Sequence, residues 1–386
     1  MQLVSKVLHR RPMMVRNAIC IVLFTSSVIS AQTAAWQVGA VDSDTGGRYS
    51  SLRIDNYGNA HVSQFDETAG VVKYSFWDHA LNKWFTTSLD RSSGFCSLVL
   101  DSKQRPHISY PEGTGRVKEI YWDGSSWQKR PVETQARVIN YYTSIAVDAR
   151  DNPMITFYEE IGAGNNQGRL RLVTWNGNYW ELRTVDADIG SGKFNSLATD
   201  SMGRPQIAYG NVEYQNASLR YARWNGRSWE NEILEGAGKP GTSMWSVAMV
   251  LDKADAPHIA YTDVNNRLVK YATKKGGRWQ LQTVDSLTQV GYPDRNGMAL
   301  DDHEAPYISY YDAGQGLLKV AHQENQRWVT EVVDRNFAGF NNSLQIAHDI
   351  IWITYADETG ERLKFARRVL APSNSSSEAK REVIHK

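Results

Sequence analysis

Ser196-Leu197-Ala198-Thr199-Asp200-Ser201-Met202-Gly203-Arg204-Pro205-Gln206-Ile207-Ala208-Tyr209 decides the fold. It holds two short segments around a turn. Asp200 can cap the turn through its own carboxylate, and Gly203 suits a left-handed backbone. Pro205 opens the second segment, where its missing N–H is tolerated. Period-two alternation with Ile and Tyr reads as strand.

Working outward, the unit recurs. The turn is echoed at residues 148–153 and 252–257. Counterparts of the first segment end at Asp55, Asp101, Asp148, Asp252 and Asp301, whereas residues 343–347 lack the Asp. The second segment returns as Pro106-His107-Ile108-Ser109-Tyr110 and as Pro306-Tyr307-Ile308-Ser309-Tyr310. A third follows: Leu219-Arg220-Tyr221-Ala222, Val269-Lys270-Tyr271-Ala272, Leu318-Lys319-Val320-Ala321 and Leu363-Lys364-Phe365-Ala366. After a turn such as Asn225-Gly226 comes a Trp: Trp36, Trp84, Trp127, Trp180, Trp229, Trp279 or Trp328, spaced by 43 to 53 residues. Six residues after each Trp stands an acid: Asp42, Asp90, Glu133, Asp186, Glu235, Asp285 or Asp334.

Each unit therefore has four short strands, here a (Ser-Leu-x-x-Asp), b (Pro-x-Ile-x-Tyr), c (Leu-Lys-Tyr-Ala) and d (Trp to acid). Four-stranded units of about 40–50 residues mark propeller blades. No helical periodicity of useful length competes with this reading. The chain starts with a lone d strand at Trp36 and ends with a, b and c. An all-β, seven-bladed β-propeller follows, four antiparallel strands per blade, its last blade closed by the N-terminal strand. Closure removes the open edges that a linear array would expose.

Composition narrows the classes. With 43 Lys+Arg against 42 Asp+Glu, the chain has a charge of +1 and lacks the basic excess of a nucleic-acid binder. Its two cysteines cannot make a disulfide scaffold or a four-cysteine zinc site. A mean hydropathy of −0.49 argues against a membrane-embedded protein.

Residues 1–31 read as a signal peptide: Lys6, Arg10, Arg11 and Arg16 precede an apolar run from Ala18 to Ile29, then Ser30 and Ala31. A retained anchor is the alternative. Export places the protein outside the cytoplasm: secreted, periplasmic or at the cell surface. Removing this segment leaves Cys96 as the one thiol and a slight acidic excess. The expected division is signal peptide 1–31, propeller 32–369 and disordered tail 370–386.

The repeats resemble those of secreted bacterial and archaeal tandem-repeat proteins, whose units run close to Ser-Leu-Ala-Val-Asp-Ser-x-Gly-x-Pro-x-Ile-Ser-Tyr-x-Asp, then Leu-Lys-Tyr-Ala, then Trp. The residues that carry this are Ser196 to Pro205 and Ile308-Ser309-Tyr310-Tyr311-Asp312. The resemblance implies a β-propeller and an extracytoplasmic location, and no particular activity. The Trp224-Asn225-Gly226-x-x-Trp229 hairpin, repeated at 122–127 and 175–180, loosely resembles fucose-binding propeller lectins.

Repeated charges read as structural. Each c strand carries a base (Lys73, Lys118, Arg171, Arg220, Lys270, Lys319, Lys364), expected between the acids that end strands b and d. The surplus of acids leaves calcium as a minor alternative, with Asp42-x-Asp44 and Asp186-x-Asp188 as ligands; otherwise no cofactor or metal is expected. His61, His107 and His258 repeat at one position and read as packing residues. No His-Glu-x-x-His, Gly-x-Ser-x-Gly or phosphate loop is present.

Departures from the repeat are the better guide to function, because ligand sites sit on the loops around the channel. Among the tryptophans only Trp245 and Trp352 are off-pattern, and Trp352 reads as packing. Trp245 precedes the fifth a strand; the others start near Tyr49, Phe95, Tyr142, Phe194 and Phe340, and the sixth near Tyr292, Asp294 and Arg295. Arg137 lies in the longer loop before the third. Aromatic faces with Arg and Asp suit sugars, through CH stacking and charged forks. The candidate ligand-binding set is therefore Trp245, Arg295, Asp294, Tyr292, Tyr142, Arg137 and Tyr49. The leading expectation is a non-catalytic module binding a glycan or cell-surface ligand. Alternatives are a polysaccharide hydrolase or lyase acting at the channel mouth, and a protein–protein scaffold.

Overall fold

Six of the seven blades build themselves from one run of chain, because Asp-capped turns and tight hairpins fold each unit back on itself. In the first of these turns the Asp55 carboxylate accepts from the backbone N–H groups of Tyr57 and Asn59, at 2.9 and 2.8 Å. Asp101, Asp148, Asp200, Asp252 and Asp301 cap their turns in the same way. The left-handed residue falls where the sequence reading puts it. Gly58 and Gly203 fill it in two blades, and Gln104, Asp151, Asp255 and Glu304, all with φ near +62°, in four others.

The computed structural model describes residues 35–41, 47–113, 115–132, 139–161, 167–213, 217–236, 244–291, 295–357 and 362–370. Among these there are 28 strands and no helix, so no helix is long and apolar enough to cross a membrane. The strands form seven four-stranded antiparallel sheets, each in the order a-b-c-d. The innermost strands are Arg48–Ile54, Ser97–Leu100, Ile139–Val147, Ser191–Thr199, Met244–Leu251, Gly297–Leu300 and Ala338–Ala347. Gln37–Ala40 pairs with Leu363–Val369, so that Gln37 lies opposite Arg367 and Ala40 opposite Lys364. The N-terminal strand thus supplies strand d of blade seven, as the count of units requires.

Burial follows distance from the axis. Strands b are sandwiched between neighbouring blades, and Pro205–Asn211 and Pro257–Asp263 are buried at every residue. Strands d are outermost and largely exposed, as in Lys83–Arg91. The apolar core lies in the seams between blades: Leu170, Leu172 and Val185 of blade three pack against Leu197, Ile207 and Tyr209 of blade four. Trp352 is buried with Trp77 and Phe365, in line with its reading as packing.

The repeated charges also join blades, and here the expected arrangement is corrected. Each base was expected between acids of its own blade. Instead the strand-d acid comes from the preceding blade. Asp186 ends blade three, accepts from Tyr209 Oη at 2.8 Å and meets Arg220 of blade four at 2.8 Å. Asp90 receives Tyr110 and Lys118 in this manner, Glu235 receives Tyr261 and Lys270, Asp285 receives Tyr310 and Lys319, and Asp334 receives Tyr355 and Lys364. The radial stack brings the outer strand of one blade over strands b and c of the next. Strand-b acids still take part, as in Lys73–Asp66 at 2.7 Å.

Candidate functional site at the channel mouth

The inner strands do not enter the ring cleanly. In blades one, three, four, five and seven the a–b ladder slips near its start, between Arg48 and Ser51, Ile139 and Thr143, Lys193 and Ser196, Trp245 and Ala248, and Phe340 and Ser343. These are β-bulges, which re-aim side chains. Tyr49, Phe194, Ser246 and Asn341 occupy them with φ between 51° and 57°. An L-residue held there costs about 1–2 kcal/mol, which the surrounding packing must offset.

Counting back six residues from each capping Asp gives one position per blade: Tyr49, Phe95, Tyr142, Phe194, Ser246 and Arg295; Asn341 is its equivalent before Ala347. Blades one to four carry a ring there, and blades five to seven carry a polar group. Trp245 and Phe340 lie one residue earlier, so they are not equivalent to the other aromatics, as the sequence had suggested. Phe340 packs aside on Tyr311, with centroids 4.6 Å apart. Trp245 nevertheless extends the arc. Centroid distances run 3.7 Å for Tyr49–Phe95, 5.0 Å for Phe95–Tyr142, 4.7 Å for Tyr142–Phe194 and 5.9 Å for Phe194–Trp245.

Tyr49, Phe95 and Phe194 are buried within this arc, while Tyr142 and Trp245 are half-buried and keep surface that a ligand can reach. Arg295 faces the arc from the polar side. Its Nη1 donates to the Cys96 carbonyl at 3.4 Å, and its guanidinium lies 5.8 Å from the Phe95 ring centre. Blade six and blade two are three blades apart, so this side chain reaches across the bore. Arg137, Tyr292 and Asp294 lie outside the described residues, as do Asp42 and Asp44 of the calcium alternative.

Beneath the mouth is an open recess lined by residues of all seven inner strands. Its wall includes Ser51, Ser97, Ser144, Ser196 and Ser343, which also stitch the ring. Ser51 Oγ accepts from Leu98 N at 3.0 Å, Ser97 from Ile145 N at 3.3 Å, and Ser144 from Leu197 N at 3.1 Å. Ser196 accepts from Met249 N at 3.0 Å, and Ser343 from Leu52 N at 3.1 Å. Ala248 and Gly297 occupy this position in blades five and six. At the junction of blades six and seven the Asn342 side chain takes over, accepting from Gly297 N at 2.8 Å and Ser309 Oγ at 2.6 Å.

Arg53 also lines the recess. Its Nη1 donates to its neighbour's carbonyl, Leu52 O, at 2.7 Å. Burial, and then the nearby Arg295 charge, bring its pKa down to about 10. Arg295 is lowered as well, chiefly by burial. Burial pushes the Cys96 thiol beside them up to about 11, so it is not an activated nucleophile.

Among the described residues no group of His, Cys, Asp and Glu is gathered to hold a metal ion. Asp186 and Asp188 both engage Arg220, at 2.8 and 2.7 Å. His61, His107 and His258 are buried within their blades, against Tyr74, Glu119 and Tyr271 respectively.

No family model and no curated protein matches this sequence. Solved structures do match its backbone. An ulvan lyase of polysaccharide lyase family PL25 superposes with a TM-score of 0.59 at 13% identity, over 85% of this chain and 95% of its own. Polysaccharide lyase Uly1 gives 0.54 at 10% identity, over 90% and 94%. The fucose-specific lectin from Aleuria aurantia gives 0.52 at 14%, over 75% and 97%. At such identities the likeness is one of fold, and it agrees with the propeller built above.

Proposed function

We propose that this chain is an exported glycan-binding propeller that takes its ligand at the channel mouth. One observation carries the reading: the ring of seven equivalent positions is split into an aromatic arc and a polar arc, with Arg295 crossing between them. Tyr142 and Trp245 offer faces for sugar CH groups, and Arg295 offers a fork for hydroxyls or carboxylates. Residues that serve only blade packing would repeat around the ring; these do not. Export rests on residues 1–31 alone.

Glycan-array binding by the full chain tests this. Binding is expected to fall at least tenfold in Trp245→Ala and in Arg295→Ala, with the thermal transition within a few degrees of the parent. Unchanged binding in both variants would remove the mouth as the site. Release of unsaturated or reducing ends from acidic polysaccharides by the parent chain would replace binding with catalysis.

A further inference from the structure

One residue on the top rim is held in a strained backbone that its own packing does not offset. Phe337 lies between Arg327–Asp334, strand d of blade six, and Ala338–Ala347, strand a of blade seven. Its φ is +47°, in the left-handed region. The other Phe and Tyr residues held there, Phe194 and Tyr49, are buried, and burial offsets their strain. Phe337 is 56% exposed. A bulky side chain kept left-handed in solvent is an outlier that points to a use beyond the fold.

The position also departs from the repeat. The Phe337 N–H donates to the Gly316 carbonyl at 3.1 Å, a bond that Ser92, Gly190 and Leu287 make in other blades. Gly190 is left-handed as well, without a side chain to strain it. Leu287 is buried. Of these four, Phe337 alone turns a large apolar side chain into water. Its ring rests on Gly316, where a Cβ would stand 2.5 Å away, so one part is seated on backbone and the rest is open. Arg335 and Asn336 beside it are exposed too, and Asn336 N donates to Asp334 at 3.2 Å, which fixes the turn. A guanidinium fork, an amide and an aromatic face thus stand in three consecutive residues. Sugars use all three, through CH stacking and bonds to their hydroxyls. The turn lies at the channel-mouth end, between blades six and seven, beyond the point where the aromatic arc stops at Trp245. We propose that Phe337 is a second sugar-stacking platform, and that the mouth takes an extended glycan chain reaching from Trp245 to this rim, not a single terminal sugar. This rests on the mouth being the glycan site and names the form of glycan it takes.

The test is calorimetric titration of the full chain with fragments of galactan, xylan and polygalacturonate, each as the disaccharide and the hexasaccharide. The parent is compared with Phe337→Gly, Phe337→Trp and Trp245→Ala. At least one hexasaccharide should bind, and more tightly than its disaccharide. Phe337→Gly should weaken that hexasaccharide roughly fivefold to tenfold and leave the disaccharide within about twofold, as for the loss of one stacked ring. Phe337→Trp should keep the hexasaccharide affinity, and Trp245→Ala should weaken both lengths. The ligand-free melting temperature of Phe337→Gly should equal or exceed the parent's, because glycine relieves the left-handed strain and little packing is lost.

Weakening by Trp245→Ala with none by Phe337→Gly would overturn the platform and leave the mouth as the site. A melting temperature several degrees lower in Phe337→Gly would make Phe337 a packing residue and overturn the platform as well. Loss of the hexasaccharide in Phe337→Gly with none in Trp245→Ala would keep the platform and overturn the mouth. No binding of any probe would overturn both.

Discussion

The hydroxyl of Ser51 accepts a hydrogen bond from the backbone N–H of Leu98, 3.0 Å away in the next blade. The contact is buried and crosses a seam that no backbone ladder crosses. The same link recurs at Ser97, Ser144, Ser196 and Ser343, so a residue that looks like part of a strand motif is a rivet between strands. Removing the hydroxyl leaves a buried N–H without a partner.

Ser51→Ala and Ser196→Ala should each cost about 1–3 kcal/mol of unfolding free energy. The double variant should be close to additive, because the two seams share no partners. Urea unfolding followed by tryptophan fluorescence measures this. Gly297→Ala should cost about as much for the opposite reason. Its added Cβ would stand 2.6 Å from Leu344 N and 2.5 Å from Ser309 Oγ.

The seam triads should show strong asymmetry. Tyr209→Phe removes one donor from Asp186 and should cost about 1 kcal/mol, whereas Arg220→Met strands a buried carboxylate and should cost about 3–5 kcal/mol. Replacing Asp186 and Arg220 together by apolar residues should recover much of that loss. A double-mutant cycle on thermal or urea unfolding checks it.

Acid should loosen the protein through particular carboxylates. Burial alone would raise Asp55, but hydrogen bonds from His61, Asn59 and Tyr57 outweigh it and hold its pKa at about 2. Asp90 is likewise at about 2, with burial opposed by Lys129, Tyr110 and Lys118. A carboxylate depressed in the folded state contributes its stability in full above its unfolded pKa, roughly 4, and loses it as pH falls through about 2. Stability should therefore drop between about pH 4 and pH 2, with proton uptake on unfolding. Asp55→Asn should be less stable at pH 7 and should show a shallower acid limb.

Packing and recognition should separate within the aromatic arc. Phe194 is buried and Trp245 half-buried, though their rings stack 5.9 Å apart. Phe194→Ala should cost about 3–5 kcal/mol, whereas Trp245→Ala should cost clearly less while abolishing most glycan binding. Thermal unfolding and binding measured on the same samples make the comparison. Equal destabilisation by both would place Trp245 in the core.

What could be read from the chain was whatever each blade settles within itself. The Asp-capped turns, the strand order and the Trp-to-acid hairpins are local, and each appears in the linear sequence with its own turn chemistry. The strand-b partner of Lys118, Glu112, was legible, but the strand-d partner of Lys118 or Arg220 was not, because that acid belongs to the preceding blade and adjacency across a seam is set by the radial stack. Arg295 was singled out for its charge, but its place in the ring was missed. The bulges shift Trp245 and Phe340 one residue out of register, so grouping residues by aromatic type hid the seven equivalent positions. A count back from each capping Asp would have found them.

The pairing of Gln37–Ala40 with Leu363–Val369 also sets an order of events. Most ladders in the molecule join strands that are neighbours in the chain and can zip up as they emerge. This one joins residues 37 and 367, and loop-closure entropy falls most heavily on it. During N-to-C synthesis the first strand must wait, unpaired and kept from other edges, until almost the last residue of the final blade arrives. Ring closure is then expected to come late in folding, and a chain stopped short of residue 363 would leave its first strand without the strand it pairs with.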